Sequence, residues 1–165
     1  MRVYLPATMN RLSDLVKEGS LGPAPLTAFA VTPALREWYV DDDVESLEYA
    51  ALLNAARASL RLLDADPAAP RRRVVVAAEV ADGAAEVRAD LDRAVVQLAE
   101  PVGLAQVAAV HVDAPEAEDA VRAAARVVME ADLGGADAQF AVDETEGHEL
   151  GWYATQEIGP LLELS

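Results

Sequence analysis

Cysteine is absent from this sequence, and its absence excludes disulfide bonds, thiolate metal sites, cysteine nucleophiles and thiol redox chemistry. A chain of 165 residues buries about 70% of its unfolded surface, so it can fold without a cross-link or a structural metal. No repeat or linker divides it, so we expect a single domain over residues 1–165. A fold without cross-links is also typical of the reducing cytoplasm.

The sequence also lacks a recognisable secretion signal and a membrane span. Its first ten residues, MRVYLPATMN, contain one charge and a short apolar run that Pro6 interrupts. No stretch approaches the ~18 consecutive apolar residues that a membrane-spanning helix needs. We therefore expect a soluble, cytoplasmic protein that does not bind membranes.

Positive charge is scarce in this chain. The 13 lysines and arginines face 29 aspartates and glutamates, which gives a net charge of −16. The imbalance is largest in residues 113–165, where thirteen acids accompany only Arg122 and Arg126. Such a surface repels phosphate backbones, so no direct nucleic-acid binding is expected. The acidity favours solubility or, alternatively, the recognition of a basic protein partner.

Motifs of nucleotide and nucleophilic chemistry are missing as well. Neither the phosphate loop G-x-x-x-x-G-K-[ST] nor the dinucleotide fingerprint G-x-G-x-x-G occurs. The five serines lack the G-x-S-x-G context of a nucleophile, and two histidines offer little material for a catalytic triad. We therefore expect no cofactor, and the sequence leaves open whether the chain is an enzyme.

The sequence does contain signals for strands and capped helices. A strand over 2–6 is followed by a helix over 9–18, which has Thr8 as its N-cap and Gly19 at its end. The apolar stripe of this helix is formed by Leu12, Leu15 and Val16.

The next signals predict one strand and two helices. A strand over 26–32 ends where Thr32 caps a helix that has Pro33 in its first position. A longer helix begins near Asp42, which resembles a capping box together with Glu45. One face of this helix carries Leu53, Ala56, Leu60 and Leu63.

The second half of the chain is rich in strands. Apolar runs predict strands over 71–80, 93–100 and 107–113. A helix over 115–131 follows, with Asp113 as its cap, and the segment AQFAVDETEG is compatible with helix or strand. In the tail, HELGWYA is typical of a strand, and Thr155 is expected to cap a last short helix.

This order of elements predicts the fold class. Helices separate the first strands, so some parallel pairing is expected, whereas the middle strands can be antiparallel. We predict an α+β (mixed α/β) fold with helices packed on a mixed sheet of about five strands, as a two-layer or three-layer sandwich.

Several blocks of the sequence resemble one family. The chain is similar to a family of small acidic uncharacterised proteins, a domain of unknown function, from high-GC Gram-positive bacteria. The resemblance covers nearly the whole chain and implies a single, cytoplasmic, bacterial domain, but it brings no activity, cofactor or site residue. The blocks that carry it are MRVYLPAT, TAFAVTPALREWY, EYAALLNAARASLRLL, RRVVVAAEV, VHVDAPEAE and DAQFAVDETEGHELGWYATQEI.

Two histidines and nearby carboxylates are the candidate metal or ligand site. His111 and Asp113 are two residues apart on a predicted strand, so they share one face and provide half of a divalent-metal site. His148, with Glu144 or Glu149, completes the set if the tail folds back. The simpler interpretation is that His111 lies on the open face of a strand and that Asp113 caps the next helix.

The aromatic residues are few, and both tryptophans precede a tyrosine. Trp38-Tyr39 and Trp152-Tyr153 are candidate interface anchors, because tryptophan and tyrosine dominate binding hot spots. Packing into a core of small residues is the favoured interpretation, with one ring of each pair at a surface or pocket rim.

One basic run interrupts the acidic sequence. Arg71, Arg72 and Arg73 are candidates to contact an anion or an acidic partner, although such a run also solubilises the end of a strand.

Two functions are consistent with these observations. The preferred hypothesis is a non-catalytic interaction or regulatory module whose acidic surface binds a protein partner. The alternative is a small metal- or ligand-binding enzyme with a histidine–carboxylate site. The sequence does not predict the oligomeric state.

Overall fold

The computed structural model describes residues 1–39 and 43–165. The strands in these ranges are β1 (Arg2–Ala7), β2 (Ser20–Leu21), β3 (Leu26–Phe29), β4 (Val74–Glu79), β5 (Ala85–Val87), β6 (Val95–Leu98), β7 (Val102–Gly103), β8 (Val107–Asp113) and β9 (Leu150–Ala154). The helices are α1 (Met9–Glu18), α2 (Pro33–Trp38), α3 (Val44–Ala65), α4 (Glu118–Asp132), α5 (Ala136–Glu144) and α6 (Ile158–Glu163).

Seven of the described strands form one sheet in the order β5-β6-β3-β1-β4-β8-β9, and β2 pairs with β7 in a second, small sheet. The predicted α+β class is confirmed. The expected parallel pairs were wrong, because the neighbouring strands in the described residues all pair antiparallel. Strands β3 and β4, which α2 and α3 connect, are both antiparallel to β1, but β1 lies between them.

Helices cover both faces of the sheet, which makes the fold a three-layer sandwich. One face packs against α1 and α6 through Leu12, Leu15, Ile158 and Leu161. The opposite face packs against α2 and α3 through Leu35, Leu47 and Ala51. Strand β4 contributes Val74 and Val76 to the first core and Val75 to the second, so its continuous apolar run is buried on both faces, as expected for a central strand.

A third apolar cluster attaches the hairpin of α4 and α5 to α3. Leu60 and Leu63 of α3 contact this cluster, to which α4 contributes Val121 and Val128 and α5 contributes Val142. Helix α3 therefore supports both the sheet and the helical hairpin. The α5–β9 connection follows this hairpin, so the packing on α3 positions the last strand of the sheet.

The helix ends predicted at Thr8, Gly19 and Thr32 form where the sequence places them. Thr8 accepts a hydrogen bond from Arg11 N at 3.2 Å, and Gly19 ends α1 in the left-handed conformation, with φ = 80°. Thr32 accepts a hydrogen bond from Leu35 N at 3.1 Å. The capping role expected of Asp42 lies outside the described residues.

The structure resolves one local prediction that the sequence left open and corrects another. The segment AQFAVDETEG, which was compatible with helix or strand, is helical, and most of it belongs to α5. Thr155 does not cap α6, since its hydroxyl donates instead to Val107 O at 2.9 Å. In the ranges that the structure describes, no helix is long and apolar enough to cross a membrane.

Tyr4 provides a prediction about alkaline pH. Its hydroxyl donates to Glu48 Oε2 at 3.0 Å, and burial, together with the negative charge of Glu48, raises the pKa of Tyr4 to about 12. Well below pH 10, the phenol of Tyr4 is neutral in both the folded and the unfolded protein. Above that pH it ionises first in the unfolded chain, so the free energy of unfolding should fall as the pH rises from 10 through 12.

Absorbance titration at 295 nm checks this expectation. The wild-type protein should show a tyrosine step near pH 12 that the Tyr4→Phe variant lacks. If the step remains in Tyr4→Phe, another tyrosine is responsible and the assignment is incorrect.

Candidate functional site

A buried ion pair joins the start of β4 to the end of β8. Nε and Nη2 of Arg73 each lie 2.8 Å from one carboxylate oxygen of Asp113, and both residues are almost completely shielded from solvent. The Arg73 N–H also donates to Asp113 Oδ2 at 2.8 Å. The expected cap function of Asp113 is therefore wrong: the helix turns that follow β8 have no side-chain cap.

The same guanidinium fixes the connection between α5 and β9. Nη2 of Arg73 also donates to Thr145 O at 3.1 Å and to His148 O at 2.8 Å. Thr145 is buried, and its hydroxyl donates to Val142 O at 2.6 Å. The position of β9 thus depends on Arg73 as well as on strand pairing with β8.

Arg71 and Arg72 also donate hydrogen bonds to main-chain carbonyl groups of the protein. Nη1 of Arg71 donates to Leu63 O at 2.9 Å and supports the C-terminal end of α3. Nε of Arg72 donates to Asp113 O at 2.8 Å. Arg71 additionally borders an open cleft with Arg122 and Arg126, so the anion contact predicted for this run stays a prediction there. Arg73 itself is enclosed by the chain.

The residues of the predicted metal site do not come together as ligands. His111 and Asp113 do share one face of β8, but the carboxylate of Asp113 is occupied by Arg73. His148 meets Arg73 through its main-chain carbonyl, and Glu144 is exposed at the end of α5. In residues 1–39 and 43–165, no group of three or more His, Asp or Glu side chains is arranged to hold a metal ion.

His111 lies opposite Trp152 in the register of β8 and β9. Burial lowers the pKa of His111, and the positive charge of Arg2 lowers it further. The imidazole is therefore neutral near pH 7 and has an aromatic residue as its cross-strand neighbour.

The aromatic pairs are more exposed than the sequence suggested. Trp38 and Trp152 are each 62% exposed and Tyr39 is 41% exposed, so the core packing expected for one ring of the Trp38-Tyr39 pair was wrong. Only Tyr153 packs, half-buried, against the core beneath α1 and α6. Arg93 lies over the Trp38 ring, 3.5 Å from its centroid, which gives Trp38 a cation–π partner.

Strand β9 is one edge of the described sheet, and its outer side is open. The Asp113 N–H donates to Arg73 O at 3.1 Å, so over residues 109–113 of β8 the odd-numbered residues bond toward β4 and the even-numbered ones toward β9. Val110 and Val112 pair with Tyr153 and Gly151, whose main-chain groups therefore face β8. The N–H and C=O groups of Leu150 and Trp152 consequently face away from the sheet.

The two edges of the sheet differ in chemical character. Strand β9 contains no charged residue over its five positions, LGWYA, whereas the shorter β5 carries Glu86 at the opposite edge. Charges and short lengths protect exposed edges against pairing with another chain. Edge β9 lacks both protections in the described residues and presents Trp152 on one face.

Exposed carboxylates flank this edge. Glu146 and Glu149 precede β9, are exposed, and make no ion pair with a described residue. Glu157 follows β9, and its carboxylate accepts a hydrogen bond from Ala154 N at 2.9 Å. The apolar edge strand is therefore flanked by negative charge at both ends.

Sequence reasoning missed two features of this region. It considered Trp152 mainly as a core residue, and nothing in LGWYA marks this strand as an edge, because edge strands more often carry charges. It also gave no role to Arg57 and Asn54 of α3, which line a cavity together with Arg73. No local pattern in the sequence identifies that cavity.

Fold and site together define an α+β protein with an arginine-centred structural site and one open, acidic-flanked sheet edge. The chain belongs to DUF6912, a family of unknown function, whose match spans residues 1–162. No curated protein and no solved structure matches the chain significantly.

Proposed function

We propose that this protein is a single-domain, non-catalytic interaction module that binds an extended, basic segment of a protein partner along the outer edge of β9. The observation that carries the proposal is the open edge strand LGWYA, with outward main-chain groups at Leu150 and Trp152. Extended peptides commonly bind proteins by adding a strand to such an edge.

The surroundings of β9 favour this occupant. Trp152 is 62% exposed beside the outward main-chain groups, where it can anchor a partner as tryptophan does in binding hot spots. Glu146, Glu149 and Glu157 attract positive charges at the two ends of an added strand. The partner is therefore a basic chain, and we propose that the encounter occurs in the cytoplasm.

A second copy of this chain is a poorer occupant. Pairing of two β9 edges would bring together two molecules that each carry a net charge of −16. Like charges across an interface cost free energy and slow the association.

Fluorescence polarisation with a labelled peptide tests the proposal. The probe has a Thr-Val-Thr-Val centre and two lysines at each end, and glutamates replace the lysines in a matched peptide. We expect binding of the lysine peptide only, with an affinity that falls between 0.1 M and 1 M salt as the screening length shrinks from ~10 Å to ~3 Å. N-methylation of alternate amides on the pairing edge should abolish binding, because those amides donate to β9.

A matched pair of variants locates the contact. Trp152→Ala should weaken binding about 30-fold, since a hot-spot aromatic contributes about 2 kcal/mol. Trp38→Ala removes the same side chain with the same 62% exposure, away from β9, and should leave the affinity unchanged. The proposal is contradicted if the N-methylated peptide binds as tightly as the unmodified one, or if only Trp38→Ala weakens peptide binding. It is also contradicted if the free protein sediments as a dimer.

A further inference from the structure

A cavity of about 240 Å³ lies between α3 and the α5–β9 connection. Polar groups on its wall come from Arg57 and Asn54 of α3, Arg73, Tyr39 and Glu146. Apolar side chains, among them Leu53 and Leu60, form the remaining wall. A concave space with an apolar wall and a few convergent polar groups is the usual architecture of a small-ligand site.

Arg73, which lines this cavity, has one guanidinium nitrogen that the protein does not use for a hydrogen bond. Nε and Nη2 are occupied by Asp113, Thr145 and His148, but Nη1 makes no hydrogen bond with a described residue. Arg73 as a whole is only 2% exposed. In the described chain, however, every fully buried side-chain nitrogen or oxygen has a hydrogen-bond partner, so an Nη1 without a partner is not fully buried. Nη1 must therefore reach accessible space, which for Arg73 is this cavity and a smaller one beside it.

Arg57, which lines the same cavity, has a second unused Nη1. Its Nε and Nη2 donate to Asp132 Oδ1 at 3.2 and 3.0 Å, and Nη2 also donates to Gln139 Oε1 at 3.1 Å. No hydrogen bond within the described residues involves Nη1. Two guanidinium groups with free N–H donors thus line one small space in a chain where arginine and lysine are scarce.

The charge balance of these arginines favours an anion. Arg73 is neutralised by Asp113, but Asp132 is shared by Arg57 and Arg61, whose Nε lies 2.7 Å from Oδ2. One positive charge therefore remains uncompensated beside the cavity. Glu146 opposes it from an exposed position, where water and salt weaken its effect.

We propose that this cavity binds the carboxylate group of a ligand, held by Nη1 of Arg57 and Nη1 of Arg73. Planar guanidinium donors match a carboxylate in both geometry and charge. The hydrocarbon part of the ligand packs against Leu53 and Leu60, while Tyr39 borders the cavity. This site is distinct from the β9 edge and does not depend on the function proposed for that edge.

The volume restricts what can enter. A space of about 240 Å³ is smaller than the ~300–1,000 Å³ typical of sites for drug-sized ligands, so the ligand is small or enters only in part. Two sources supply such a group: a free short-chain carboxylic acid, or the C-terminal carboxylate of a peptide. The recognised chemistry is the same in both.

Calorimetry and NMR on the full chain test the proposal with matched acid and amide probes. Butyrate is compared with butyramide, and an acetylated Ala-Ala-Ala-Val peptide with its C-terminal amide. We expect binding of at least one acid, with shifts of the arginine Nε–H and Asn54 side-chain signals, and an affinity about tenfold weaker for its amide. Which acid binds more tightly distinguishes a free metabolite from a peptide terminus.

Arg57→Gln and Arg61→Gln are the matched variants. Both remove one guanidinium from Asp132, but only Arg57 lines the cavity. Arg57→Gln should weaken acid binding about tenfold, because it removes both a proposed direct donor and the excess positive charge, while Arg61→Gln removes only the charge and should weaken binding by about threefold or less. Circular dichroism melting verifies that both variants fold.

The proposal fails if neither acid binds, if amide and acid bind equally, or if the two variants weaken binding to the same extent. The comparison of acid with amide uses the unmodified protein, so it decides the question even if a variant does not fold.

Discussion

Replacing Asp113 with alanine should lower the free energy of unfolding by about 3–5 kcal/mol, because Arg73 would remain buried without its counter-charge. Both residues are almost completely inaccessible, with side-chain exposures of 3% for Arg73 and 0% for Asp113. The carboxylate satisfies two guanidinium nitrogens and the Arg73 N–H. Its removal leaves several donors unsatisfied in a region of low dielectric constant.

Urea denaturation at pH 7 measures this effect. Arg72→Ala is the control, since it removes an adjacent arginine that hydrogen-bonds to the Asp113 carbonyl but is only partly buried. This control should cost no more than about 1.5 kcal/mol. A loss below 1 kcal/mol in Asp113→Ala, or a loss equal to that of Arg72→Ala, would show that the ion pair is not critical to folding.

The double variant Arg73→Met/Asp113→Leu separates the charge from the packing. Buried ion pairs can often be replaced by apolar side chains of similar volume with little loss of stability. We therefore expect the double variant to be more stable than Asp113→Ala. It should still show faster hydrogen exchange in β9, because it also loses the hydrogen bonds from Arg73 to Thr145 O and His148 O.

The second large effect is expected for Leu12→Ala in α1. Leu12 is 0% exposed and packs in the core between α1, α6 and the sheet. Truncation of a buried leucine to alanine costs about 2–5 kcal/mol, which combines the lost transfer free energy with the cavity that remains.

Val16→Ala provides a control in the same helix. The sequence placed Leu12, Leu15 and Val16 on one apolar stripe, but Val16 is 40% exposed. Its replacement should change the free energy of unfolding by about 0.5 kcal/mol or less, since alanine also favours the helix. Similar losses from both variants in urea denaturation would contradict the packing described for α1.

The elements of this protein were largely predictable where their signals are local. The Thr8 and Gly19 ends of α1, the Thr32-Pro33 start of α2 and the strand character of β4 were each predicted from a few adjacent residues. Capping groups and apolar periodicity act within one or two helical turns, so the surrounding fold seldom overrides them.

The predicted roles of individual side chains were less accurate. Asp113 had the correct position for a cap, but a buried arginine 40 residues earlier in the chain competes for its carboxylate. The exposure of Trp152 depends on β9 being the last strand in the sheet, and that order is set by long-range pairing. Local patterns carry no information about these distant partners.

The sequence by itself determined the charge of the chain, its lack of thiol chemistry, its helix ends and its apolar strands, because these follow from composition and from interactions between near neighbours. Only the tertiary structure decided that every neighbouring pair of described strands is antiparallel, that Arg73 is enclosed with Asp113, and that Arg57 and Arg73 line one cavity. Those features depend on which distant segments become neighbours, and burial then decides which polar groups must be paired.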